Sequence, residues 1–353
     1  MIDRRRFLQT AASAGLVVGV SPLGLLHSAR AERPFVFTSW GGALSAMEKE
    51  AFMDPASKLF GTEIVNTSPT NYAKLKAMVE GNAVEWDLVD VGGRFIFQGR
   101  DQGLLEPIDY KIVDVSHLAK EWHVPYGVFT STGATIIAWN TKAFPEDKGP
   151  SSWKDFWDVK KFPGARGLYK PFYYNYEAAL LADGVKREEV YPVTDEKVKQ
   201  AIGKLKELKP HVKVWWTAGA QPPQLLSSGE LAMSSAWNGR ILDIRKEKAP
   251  VAMTYEDGLA WGNAWVVPKG TPHKELAMKI INYAITEPAQ ERLIKIGTYG
   301  PVLASVAAKA SPEEQAILVT SPQNQKRMLV MNEEQCAIYS TKYEQQWNEF
   351  QLG

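Results

Sequence analysis

FVFTSW (35–40) is a short apolar run that breaks at Gly41-Gly42. Behind it, Leu44, Met47, Ala51 and Phe52 recur on one face, so the pattern predicts a strand and then a helix over 43–60. A second strand is expected at 63–66, a helix at 72–80 and a third strand in WDLVDVG (86–92). Strands alternating with helices at this spacing argue for βαβ units and a mostly parallel sheet. After Pro125, GVFTSTGATIIAWN reads as extended chain leaving one lobe. Residues 151–250 carry their own alternation: 153–157, GLY at 167–169, helices at 177–182 and 196–208, and VKVWW at 212–216. LAWGNAWVVPKG (259–270) reads as a strand and 274–285 as a helix. With no repeat and no long hydrophilic linker, the expected fold class is α/β, as two lobes crossed by more than one segment.

The N-terminus breaks this pattern. MIDRRRFLQT is basic, 11–26 is an uncharged apolar run, and Ala29-Arg30-Ala31 offers a small-x-small cleavage site. Arg4-Arg5 with Phe7-Leu8 resembles a twin-arginine export signal, so residues 1–31 are expected to be removed and the mature chain to start at Glu32. Those residues hold four Arg and one Asp, so 41 basic and 40 acidic residues become 37 and 39, a formal charge of −2. No basic field for nucleic acid remains, and no later segment is long and apolar enough to span a membrane. The lone Cys336 can form no internal disulfide and reads as a packed small hydrophobe. The expected product is an exported protein of the periplasm.

Enzyme signatures are missing: the chain contains no G-x-S-x-G, H-E-x-x-H, G-x-x-x-x-G-K or G-x-G-x-x-G. His117, His123, His211 and His273 are scattered, and most are expected at the surface. Neither catalysis nor a cofactor is expected. SSAWNGRIL (234–242) poses a different question, because Arg240 follows Trp237 across an apparent Asn-Gly turn, between segments that both look buried. Taken alone, that arginine is a surface residue paired with Glu230 or Asp243.

Several pieces, in order, resemble the periplasmic solute-binding proteins of the spermidine/putrescine-binding group. They are Ser39-Trp40, NYAKLKAMVEGNAVEWDLVDV, SWKDFWD (152–158), SSGELAMSSAWNG, GLAWGNAWVVPKG and IGTYGPV. The resemblance covers nearly all of the chain after residue 31. It implies a type II periplasmic binding fold, with two α/β lobes joined by a hinge and ligand held in the cleft between them. The lobes would be 32–138 with 264–305 and 139–263, and 306–353 a C-terminal helical segment. It also implies a small-molecule ligand, an inner-membrane ABC permease as partner, and a monomer.

The same resemblance implies ligand positions at Trp40, Arg94, Tyr174, Trp237, Arg240, Trp261, Asn263 and Tyr299. Three acidic positions of a polyamine pocket fall here on Pro171, Tyr174 and Asn263, while two positions around the cleft are Arg. Buried ammonium groups need paired carboxylates, so the charge preference is reversed or cancelled and spermidine is disfavoured. In the γ-aminobutyrate-binding branch, an arginine in the matching turn holds the ligand carboxylate, and Arg240 takes that place. The implied ligand is a carboxylate-bearing zwitterion or anion, γ-aminobutyrate-like or betaine-like. Two alternatives stand beside it: a polyamine site repositioned onto Glu256 or Asp257 in YEDG, and a ferric-ion site on Tyr173 and Tyr174.

Overall fold

The computed structural model describes residues 33–297 and 299–352; the export signal and cleavage site expected in residues 1–31 lie outside them. Ten strands form one mixed sheet. They are β1 (Phe35–Thr38), β2 (Ile64–Thr67), β3 (Leu88–Gly92), β4 (His123–Val124) and β5 (Gly127–Asn140). The others are β6 (Arg166–Tyr169), β7 (Val212–Trp216), β8 (Met233–Trp237), β9 (Val251–Val266) and β10 (Leu329–Val330). Their order is β2-β1-β3-β9-β5-β8-β6-β7, with β10 added to β9 and β4 to β5.

Two parallel groups, β2-β1-β3 and β8-β6-β7, flank a central antiparallel pair. The parallel expectation therefore holds at the flanks, and β5 and β9 cross between them. The end of β9 pairs with β3, as Gly92↔Asn263 and Asp90↔Trp265, while the second half of β5 pairs with β8. All 14 residues of β5 are buried, as expected for a strand covered on both faces. The lobe boundaries expected at 138/139 and 263/264 fall inside these two strands. Pro34–Gly353 cluster as one compact unit.

Two local expectations need correction. The helix over 43–60 runs as Gly42–Glu48, a π-helical turn Lys49–Met53, and Asp54–Phe60. The consecutive Ala51, Phe52 and Met53 of this wider turn are all buried in the core. Asn238-Gly239 is not a turn but the start of the helix Asn238–Lys246. The Asn238 amide accepts from the Ala134 N–H at 2.9 Å and donates to Tyr255 Oη at 3.1 Å, which ties it to β5 and β9. YEDG is a bulge inside β9, lying between the pairs Thr135↔Leu259 and Ile137↔Thr254.

The C-terminal segment touches both flanks. Glu334 pairs with Arg100 at 3.1 Å, on the helix that follows β3. Farther along, the Trp347 indole donates to the Lys170 carbonyl at 3.0 Å and stacks on Phe172 with centroids 4.9 Å apart, beside β6. Cys336 is buried as expected. His273 is not at the surface: it is buried beside Phe35, with ring centroids 6.0 Å apart.

Candidate functional site

Five strands, two from one parallel group and three from the other, each feed a helix whose N-terminus opens on the same cavity. β1 leads to Gly42–Glu48, β3 to Gly93–Asp101, β6 to Asn175–Ala182, β7 to Gln221–Ser228 and β8 to Asn238–Lys246. The connecting residues line a cleft of about 430 Å³, to which Trp40, Arg94, Tyr174, Trp237 and Arg240 all contribute. β9 adds Trp261 and Asn263, and Tyr299 comes from beyond the helix Glu287–Ile296. The fold thus brings together all eight residues singled out in the sequence. Amides and positive dipole ends converge here, as ligand crevices at strand C-termini generally provide.

Each side chain is held by a nameable neighbour. Trp40 is 39% exposed, at the mouth, edge-on to Tyr72 at 5.8 Å. Trp261 is buried and donates its indole N–H to Thr135 Oγ1 at 3.1 Å. It covers Gly133, where a Cβ would come within 2.4 Å of the ring; a Cβ on Gly219 would meet Trp237 just as closely. Asn263 is buried and donates to Ser131 Oγ at 3.3 Å. Tyr174 sits at φ 71°, in the left-handed region, as its backbone N–H donates to Glu177 Oε2 at 2.9 Å. Glu177 also accepts from Tyr191 and Tyr339, which fixes that corner of the cleft against the C-terminal helix Glu333–Lys342.

Arg240 pairs with neither Glu230 nor Asp243; Asp243 faces Lys246 at 3.6 Å instead. Its Nε and the Trp237 indole N–H are both buried without a hydrogen-bond partner. Arg94 lies over the Tyr173 ring, 4.1 Å from the centroid. The cleft also holds an acid that sequence reasoning missed, Glu333, the first residue of the helix Glu333–Lys342. Burial pushes its carboxyl up to about 7 against the pull of Arg94. Gly93 makes room for it, since a Cβ there would meet Glu333 Cγ at 2.7 Å. Nothing local in the sequence marked Glu333, because it reaches the cleft only through the packing of the C-terminal helix. Tyr72 was missed for a similar reason: it reads as part of a helical stripe, yet it lines the cleft and accepts from the Gly92 N–H at 3.2 Å.

One layer below the cleft floor, Glu48 and Asp90 are fully buried. Glu48 accepts from Ser39 Oγ and from the Trp265 indole. Burial pushes Glu48 up to about 7; burial and the neighbouring Glu48 carboxyl push Asp90 well above the usual range. Two adjacent carboxyls in such a place retain a proton at neutral pH.

The repositioned polyamine site does not assemble. Glu256 and Asp257 are outside the cleft lining and pair with Arg187 at 3.1 Å, and Glu256 also with Arg327 at 2.8 Å. Tyr173 and Tyr174 do line the cleft, and burial pushes both phenols well above their ordinary range. Among the described residues no group of His, Cys, Asp or Glu could hold a metal ion.

A fold with ligand-sized space at the meeting point of five strand ends defines a binding protein, and comparison with known sequences gives its class. The chain belongs to the bacterial extracellular solute-binding protein family, whose pattern matches residues 51–320, and is the substrate-binding component of an ABC transporter. It is 36% identical to the γ-aminobutyric acid-binding protein of Pseudomonas aeruginosa over 336 residues, 93% of this chain and 95% of that one. The spermidine/putrescine-binding periplasmic protein of Escherichia coli K12 is more distant, 26% identical over 68% of this chain and 69% of its own. Among solved structures, an ABC transporter substrate-binding protein from Bradyrhizobium japonicum USDA 110 superposes with a TM-score of 0.84 at 36% identity, over 90% of this chain and 98% of that one.

Proposed function

We propose that the protein captures a small carboxylate-bearing zwitterion or anion, γ-aminobutyrate-like or betaine-like, and delivers it in the periplasm to the inner-membrane permease of an ABC importer. One observation carries this reading: Arg240 Nε and Trp237 Nε1 are buried donors that line the cleft with no protein acceptor. A buried donor without an acceptor costs about 1–3 kcal/mol, and a ligand carboxylate relieves it. The guanidinium fork donates two parallel bonds to such a group. The relative in Pseudomonas aeruginosa, named for γ-aminobutyric acid, supports the same ligand class.

The ligand's amine would face Trp40, Trp261 and Tyr299, with Glu333 as its nearest acid. Asn263 offers a neutral carbonyl, which suits a methylated amine or weakly polar tail. We take Arg94 and Tyr174 as further cleft contacts and the working form as a monomer. The two flanks of the sheet act as lobes, 32–138 with 264–305 and 139–263, and β5 and β9 serve as the hinge. The segment 306–353 bridges them. Residues 1–31 route the chain for export through the twin arginines.

Thermal-shift and calorimetric titration of γ-aminobutyrate, glycine betaine, spermidine and ferric citrate tests this reading. A carboxylate zwitterion at 100 times its Kd should stabilise the fold by about 2.7 kcal/mol. Small-angle scattering should then show a smaller radius with ligand than without. Stabilisation by spermidine or iron alone would reject the proposal.

A further inference from the structure

Two arginines in the cleft lack what six others in the fold have. Arg100, Arg187, Arg245 and Arg327 each pair with a carboxylate. Arg166 donates to the carbonyls of Phe156 and Gly164, and Arg292 to that of Ala51. Among the described residues, neither Arg240 nor Arg94 has such an acceptor for its guanidinium. Glu333, the acid in the cleft lining, pulls on Arg94 electrostatically but forms no ion pair with it among the described residues. Arg94 uses only its flat face, on Tyr173, and stacking leaves the in-plane N–H edge open.

An aromatic wall joins the two guanidiniums. Tyr173 packs on Tyr169 with centroids 5.3 Å apart, and Tyr169 on Trp237 at 6.0 Å, one helical turn before Arg240. Beyond Arg94 the cleft adjoins a groove of about 300 Å³ that shares Arg94, Tyr169, Tyr173 and Thr217 with it and adds Lys170 and Glu344, whose charges offset each other. Charge points the same way. Two guanidiniums face one acid, Glu333, so a ligand of zero net charge leaves the cleft positive, whereas an amino diacid carrying net −1 offsets it.

We propose that Arg94 forms a second carboxylate subsite, so that the protein takes an amino or imino dicarboxylate with one end on Arg240, the other on Arg94, and its nitrogen along the aromatic wall. This rests on the reading of Arg240 as a carboxylate clamp. The ligand is thus two-ended and anionic overall.

Calorimetric titration of γ-aminobutyrate, glutamate and 3,3′-iminodipropionate tests it, with wild type, Arg94→Ala, Arg94→Lys and Arg240→Ala. At least one diacid should bind wild type about tenfold or more tighter than γ-aminobutyrate. Arg94→Ala should bring that ratio close to one, and Arg94→Lys should restore part of it; the melting temperature of each unliganded variant confirms that it is folded. Equal or weaker binding of both diacids by wild type would overturn the subsite, as would a ratio that survives Arg94→Ala. Failure of the underlying reading looks different: no probe would bind, or Arg240→Ala would bind all three as wild type does.

Discussion

The Trp265 indole donates to Glu48 Oε1 at 3.2 Å, from a position paired across the sheet with Asp90. The three side chains form a sealed layer directly beneath Gly92 and Asn263, with at least one carboxyl protonated. In the folded protein Glu48 holds its proton up to about pH 7, whereas its ordinary value is 4.5. Between those values the folded state binds more protons than the unfolded chain, so Glu48 makes stability fall as pH rises through this window. Glu48→Gln replaces the acid proton with an amide donor. We expect a higher melting temperature at pH 8 and a shallower fall between pH 5 and 7. A variant with the wild-type slope would show that the pair carries no shared proton.

Arg240 has no protein acceptor to lose, so its removal separates binding from folding. Arg240→Ala should weaken capture of a carboxylate ligand by about 2–5 kcal/mol, while the unliganded melting temperature holds or rises. Arg240→Lys should recover only part of the affinity, since an ammonium cannot reproduce the planar fork. Titration calorimetry beside a melting curve decides the matter. A collapsed melting temperature would make Arg240 a structural residue.

Glu333 gives the cleft a titration of its own. Its carboxyl, pushed up to about 7, is held there by burial and faces Arg94 and Glu177. A ligand amine favours the ionised form, so affinity for γ-aminobutyrate should rise from pH 6 to pH 8, by up to about tenfold. Glu333→Gln should flatten that profile. A pH-independent wild-type Kd would remove Glu333 from the ligand's surroundings.

Wherever periodicity or an uninterrupted apolar run was decisive, the fold was legible. The helix Tyr72–Glu80 and strand β5 stand within the expected bounds, because each repeats one environment along its length. Asn238-Gly239 misled because the pair usually turns a chain, and only contacts 104 and 17 residues away in sequence make the asparagine a buried bracket. YEDG hid a bulge for the same reason. In the cleft, the residues carried by strand-end loops were readable from family resemblance. Glu333 was not, because its place depends on how a distant helix packs.

The crossing of β5 and β9 bears on how the chain folds. β9 lies between β3 and β5 in space, yet it follows β5 in sequence by more than a hundred residues. Until it inserts, two half-sheets each present an unpaired, apolar strand edge, β3 on one and β5 on the other. Such edges template pairing with other chains, and contacts this distant in sequence form slowly. The cleft itself, which draws on residues from Trp40 to Glu333, can close only after that insertion. A chain that has not yet inserted β9 would have an open middle, where aggregation and strand exchange between copies compete with completion of the sheet.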